Sequence, residues 1–206
     1  MTTDYFAELK KQPYEVFKAP KPYSFDLNEE MVQMLRNEFN AEKVSTELMA
    51  AIHGKSKQDA PKAAEAFFKE AAAKWMNRTI QLADEYSDRT EEVTMETVDR
   101  SGKQFLIFPH ILQRYVEIAN LATQDTLKTT ITMNNMYELA YRIPKCSYYA
   151  KITEKAGAEF AGLMTCKNYC LTALEIARKK IDVDTLLTMP AETVKNKFCE
   201  FSMKKL

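Results

Sequence analysis

The sequence predicts an α+β fold: N-terminal helices followed by an antiparallel sheet of about four to five strands with helices packed on one face. Three observations lead there. Between residues 26 and 90 the apolar positions recur every three or four residues, the period of one helix face. Beyond Glu92 stretches of period two appear, and one of them meets Asn134-Asn135, a pair that suits a tight hairpin turn. Helical segments precede the strands instead of alternating with them, which is the α+β order and not the βαβ order.

The 206 residues show no internal break in composition and read as one domain: an extended arm over 1–25, a helical part over 26–90, and an α+β part over 91–206. Residues 4–11 suit a short helix capped by Asp4. Pro13, Pro20 and Pro22 with interleaved aromatics then make an extended arm, of the kind that packs on a neighbouring surface or crosses to a second subunit in a homodimer. Asp26 or Asn28 caps a helix through Phe39 in which Met31, Met34 and Leu35 share a face. Val44, Leu48 and Ile52 mark the next helix, with Gly54 as its stop. Asp59 and Pro61 open the longest helix, to about Tyr86, whose stripe is Phe68, Ala72, Trp75, Thr79 and Leu82.

Glu92–Val98 alternates and reads as a strand, turning at Asp99–Gly102. Phe108–Leu121 returns to helical spacing, with Pro109 in its first turn. Lys128–Met133 and Met136–Ile143 form a hairpin about Asn134-Asn135, with Tyr137, Leu139, Tyr141 and Ile143 facing inward. Pro144 ends that strand. Ser147–Ala156 is a short helix stopped by Gly157, and Ala158–Lys180 is one longer helix or two broken near Gly162. Thr185–Met189 and Phe198–Lys204 read as strands, the second with Cys199, Phe201 and Met203 on one face; Pro190–Lys197 also suits a helical turn.

Charge excludes several functions. Lys plus Arg and Asp plus Glu are 29 each, so no net field draws the chain to nucleic acid or an anionic membrane. No apolar run reaches the ~20 residues of a membrane span, and the first residues lack the apolar core of a secretory signal, so the expected location is the cytoplasm. The four glycines fall in no phosphate-cradling pattern. With two histidines, a multi-histidine metal enzyme is hard to build. His53 suits a helix C-terminus, whereas His110 is a candidate base.

The four cysteines read as reduced thiols, since disulfide frameworks belong to small secreted domains. Cys166 and Cys170 lie four apart on one helical stripe, where core packing is the plain reading. Zinc is disfavoured: the cysteines are separated by 19, 3 and 28 residues, without the paired knuckles of structural sites. Neither a metal nor a cofactor is expected. Cys146 is the best nucleophile, because it follows Lys145 and opens a helix whose unpaired donors favour a thiolate.

The order of a strand, Lys145-Cys146 with Tyr148-Tyr149, a helix, Cys166 on the next helix, and Cys199-Glu200-Phe201 near the end resembles the L-2-amino-thiazoline-4-carboxylate hydrolase family over about the last 65 residues. The resemblance implies hydrolysis of a cyclic isothiourea bearing a carboxylate, opened to a carbamoyl-cysteine. It implies Cys146 as nucleophile with Cys166 and Cys199 beside it, Glu200 or His110 as proton carrier, Arg142 on the substrate carboxylate, and Tyr169 in the place of a family aspartate lining the substrate. Ser147 stands where the family has proline, and Lys195-Asn196-Lys197 where it has a Gly-Asp turn. The alternative is a non-catalytic small-molecule or metal-binding sensing domain of related fold.

Overall fold

The computed structural model describes residues 27–86, 110–123, 130–135, 137–163 and 167–206. The expected helix at 4–11, arm at 13–25 and strand at 92–98 lie outside them. Helices lead and a four-stranded antiparallel sheet follows, an α+β arrangement.

Two asparagines punctuate the first two helices. Asn28 caps α1 (Glu29–Phe39), its Oδ1 accepting from the N–H of Glu30 at 2.9 Å and Met31 at 3.2 Å. Asn40 ends α1 and starts α2 (Ala41–Ile52): its Nδ2 donates to the Arg36 carbonyl while its Oδ1 accepts from the Lys43 N–H. One side chain thereby satisfies groups that both helix ends would otherwise leave unpaired. Gly54, at φ 69°, follows α2 in the left-handed region that residues with a Cβ avoid.

The next helix, α3 (Ala60–Glu85), is about 39 Å long. All five residues of its expected stripe, Phe68, Ala72, Trp75, Thr79 and Leu82, are buried. Pro61 sits in its first turn, but the Asp59 carboxylate accepts from the Ser56 hydroxyl and makes no cap bond to the helix. At the far end, buried Arg114 of α4 (His110–Thr123) donates to the Ala83 and Tyr86 carbonyls, closing the last turn of α3.

Strands β1 (Thr130–Asn134) and β2 (Glu138–Ile143) form the expected hairpin with a wider turn. Asn134 stays in β1, paired with Leu139, and the Asn135 side chain accepts from the N–H groups of Tyr137 and Glu138. Tyr137 consequently lies before the strand and is 65% exposed, not inward as its alternation suggested. After β2 come α5 (Ser147–Ala156), ended by Gly157 at φ 85°, then α6 (Ala158–Leu163) and α7 (Lys167–Lys180). Between α6 and α7, residues 164–166 lie outside the described residues. Strand β3 (Thr185–Ala191), the short α8 (Thr193–Asn196) and β4 (Cys199–Lys205) complete the chain.

The sheet order is β1-β2-β4-β3. Edge position explains Pro190 inside β3, where the ladder is already irregular between Thr188 and Ala191. Leu139, Tyr141, Ile143, Cys199, Phe201 and Met203 face inward and join the helical residues in one core cluster. The alternate residues Glu138, Arg142, Glu200 and Lys204 are paired in ions across β2 and β4 on the other face.

An aromatic group fastens α3 to α5 and α7. Trp75 stacks on Tyr169 with centroids 4.8 Å apart and planes 8° from parallel, and Tyr148 meets both rings edge-on. Phe68 closes a further edge of Tyr169, and the Tyr148 hydroxyl donates to the Phe39 carbonyl. Each such ring pair contributes about 0.5–1.5 kcal/mol beyond its buried area, and together they fix where α5 begins.

Candidate functional site

Pro144 ends β2 and delivers Lys145 and Cys146 to the start of α5. Cys146 is the N-cap: its backbone is extended, and its sulfur accepts from the Tyr149 N–H at 3.4 Å. That place is usually filled by a short oxygen acceptor, and the converging N–H groups favour a negatively charged one. A thiolate meets the same requirement.

Cys146 is half-buried and borders a pocket of about 600 Å³ where α1, α2 and α5 meet, together with Arg36, Asn40, Glu42, Lys145 and Ser147. Lys151 and Glu154 also border it; Lys151 binds Glu154 at 2.8 Å and reaches Glu42 at 3.4 Å. The Lys155 ammonium, bonded to Glu42, holds that carboxyl below the usual glutamate range, with Lys151 assisting. Glu42 is therefore a poor proton donor at neutral pH. Lys145 is exposed and makes no ion pair among the described residues.

Two further described cysteines are Cys170 in the first turn of α7 and Cys199 at the start of β4. None of the three is in a disulfide. Burial pushes the Cys170 thiol well above the ordinary cysteine range, and charge at Cys146 and then Cys199 pushes it further. Burial also raises Cys199; the Thr193 hydroxyl, 2.8 Å from its sulfur, opposes this, and Cys146 adds to it. The three thiols thus lie within electrostatic reach of one another. Around them stand Tyr141, Tyr148 and Tyr169, each raised chiefly by burial and each also sensing the sulfurs. These phenols are neutral at physiological pH and cannot serve as bases.

The expected site residues divide clearly. Cys199 lies in the core, and Cys146 and Cys170, which the sequence reading kept in the core, are partly buried against it. The i, i+4 spacing with Cys166 was the available signal, since it marked the helix stripe that carries Cys170 inward. Cys166 lies outside the described residues. His110 opens α4, and its side chain lies outside them as well.

Arg142 and Glu200 are not with the sulfurs. They pair with each other across β2 and β4 on the opposite face of the sheet, because each is adjacent in sequence to inward residues and side chains alternate along a strand. Arg142 also lies over the Phe198 ring at 4.2 Å. The arrangement corrects the expectation that these two serve the substrate beside Cys146. Tyr169 is 2% exposed and does not border the pocket; it packs in the aromatic group one layer beneath. Its hydroxyl lies near that of Tyr148 but meets no partner with hydrogen-bond geometry.

Among the described residues no group of three or more His, Cys, Asp or Glu is arranged to hold a metal ion, and no helix is long and apolar enough to cross a membrane. Compared with family models, with curated proteins and with solved structures, the chain matches none.

Proposed function

We propose that the chain is a hydrolase for a small, negatively charged molecule of the cyclic isothiourea or amidine type, with Cys146 as its nucleophile. One observation carries this reading: of the three described thiols, Cys146 alone borders the 600 Å³ pocket, and it does so at a helix N-terminus with Lys145 and Arg36 alongside. A substrate carboxylate fits the two cations, replacing the Arg142 role that the sheet geometry removes.

In the first step the Cys146 sulfur adds to the central amidine carbon, and the ring carbon–sulfur bond breaks as the departing sulfur takes a proton. Water then attacks the same carbon and displaces Cys146, leaving a carbamoyl product and the regenerated thiol. The Lys145 ammonium is the proton source nearest the nucleophile in sequence. The test is release of free thiol from 2-aminothiazoline-4-carboxylate by the wild-type chain and by Cys146→Ser. Turnover abolished by that substitution supports the reading; equal turnover, or none in the wild type with bound substrate unaltered, overturns it.

A second reading is favoured by the pocket acids. Glu42 and Glu154 are both engaged by lysines, so neither is set up to protonate a leaving group. A pocket of that kind suits a small-molecule-binding or sensing domain without catalysis. Calorimetric binding of the same compound without thiol release distinguishes it.

A further inference from the structure

We infer that Gln33 and Asn37 of α1 are the specificity-determining pair of the pocket, and that they read a carbamoyl or neutral amidine edge on the ligand while Lys145 holds its carboxylate. The inference rests on the reading that this pocket takes a small anion, and it narrows that anion to a ureido acid or the corresponding cyclic isothiourea acid. Cysteine chemistry does not enter it.

The polar groups around the pocket differ in what they have left to give. Asn40 borders it, but its Oδ1 accepts from the Lys43 N–H and its Nδ2 donates to the Arg36 carbonyl. The Thr123 hydroxyl donates to the Ala119 carbonyl. Lys151 is held by Glu154 and Glu42, and Glu42 in turn by Lys155. Gln33 and Asn37 are placed differently. They are four residues apart on α1, both border the pocket, and Gln33 Nε2 donates to Asn37 Oδ1 at 2.9 Å. That bond uses one atom of each amide. Gln33 Oε1 and Asn37 Nδ2 make no hydrogen bond among the described residues, and neither does the Lys145 ammonium just before α5. Turning both amides over exchanges acceptor and donor between them and leaves the same pattern.

An acceptor beside a two-hydrogen donor is the complement of a planar N–C=O or N–C=N edge. The ligand's NH2 donates to the free amide oxygen, and its carbonyl oxygen or ring nitrogen accepts from the free amide NH2. The unpaired ammonium is the complement of a carboxylate. A pocket of about 600 Å³ lies within the range of small-molecule sites and admits such an acid with water. An analogue with a methyl in place of the NH2 leaves the amide oxygen facing carbon, which is how a hydrogen-bonding site discriminates. The fold does not need either amide: both are exposed, whereas Met31, Val32 and Leu35 carry the buried face of α1.

Calorimetric titration of the full chain with N-carbamoylglycine and with N-acetylglycine tests the pair, because the two acids differ only by an NH2 replaced with a methyl. The carbamoyl acid is expected to bind roughly tenfold more tightly. Gln33→Met and Asn37→Leu, each checked for native circular dichroism, are expected to bring that ratio toward one. Lys145→Met is expected to weaken both acids and keep the ratio. Equal affinities in the wild type, a ratio that neither amide substitution moves, or no binding of either acid overturns the inference. Thiol release from 2-aminothiazoline-4-carboxylate is measured on the same preparations. Release with equal affinities removes the amide pair alone, whereas the expected ratio without release removes hydrolysis and leaves the pair standing.

Discussion

Arg142 and Glu200 face each other across β2 and β4, the Glu200 Oε2 accepting from Arg142 Nη2 at 2.6 Å and Nε at 3.0 Å. Their neighbours Tyr141, Ile143, Cys199 and Phe201 point the other way, into the core. The pair is partly exposed and stacked on Phe198. Arg142→Ala is therefore expected to cost at most about 1 kcal/mol in denaturant unfolding, as partly exposed pairs do. The same variant is expected to leave the alkylation rate of Cys146 unchanged; a slowed rate would place Arg142 in the thiol site after all.

How much of this arrangement was legible in the sequence depended on the range of the physics involved. Local signals read well: Asn28 as a cap, Pro61 in a first turn, the Phe68–Leu82 stripe, and Gly157 as a stop are all determined by residues within a turn or two. Asn40 was harder, because its double role shows only when the next helix starts one residue later. Tyr137 was misplaced by alternation, since the Asn135 side chain captures two N–H groups and starts β2 at Glu138. The face of Arg142 was in principle readable from its place between Tyr141 and Ile143. The meeting of Tyr169 with Tyr148 was not, because it depends on the long-range docking of α7 on α3 and α5.

Alkaline pH is expected to destabilise the fold, with a definite sign. Cys170, Cys199, Tyr141, Tyr148 and Tyr169 are all raised by burial, so in the folded state they hold protons that the unfolded chain releases. Their stabilisation is complete below the unfolded values, about 8.5 for thiols and about 10 for phenols, and is lost as pH rises from there toward the folded values. Each group contributes a slope of about 1.4 kcal/mol per pH unit inside its window. Urea midpoints measured from pH 7 to 10.5 are expected to fall first above about pH 8.5 and more steeply above about 10. A flat profile would mean that these groups ionise in the folded state.

Lys197 occupies the left-handed region at φ 67°, as the residue that ends α8. This is where the resemblance leads one to expect a Gly-containing turn. A side chain there costs about 1–2 kcal/mol, part of which glycine returns as extra freedom of the unfolded chain. Lys197→Gly is accordingly expected to stabilise the protein by up to about 1 kcal/mol. Thermal melting of the two chains side by side checks it, and a lowered midpoint would refute the strain.

Tyr169 contributes its ring and not its hydroxyl. The ring stacks on Trp75 and touches Phe68 and Tyr148, while the buried oxygen has no hydrogen-bond partner among the described residues. Tyr169→Phe is expected to be neutral or stabilising by about 1 kcal/mol, since it removes an unpaired buried polar atom. Tyr169→Ala is expected to cost about 3–5 kcal/mol, as aromatic truncations in a core do. If the phenylalanine variant loses about 2 kcal/mol or more, the hydroxyl has a partner that matters, and a direct role toward ligand returns.

Cys146 combines two jobs that substitution separates. As N-cap of α5 its sulfur accepts from the Tyr149 N–H, and as the pocket thiol it is the candidate nucleophile. Serine is a better cap than cysteine, so Cys146→Ser is expected to keep or slightly raise stability while removing thiol chemistry. Alanine keeps neither function and is expected to cost about 0.5–2 kcal/mol, the usual loss of a side-chain cap. Iodoacetamide mapping of the wild type at pH 8 is expected to modify Cys146 well before Cys170 and Cys199, whose thiols burial keeps protonated. Equal labelling of all three would mean that the pocket gives Cys146 no advantage, and the nucleophile would then have to be sought elsewhere.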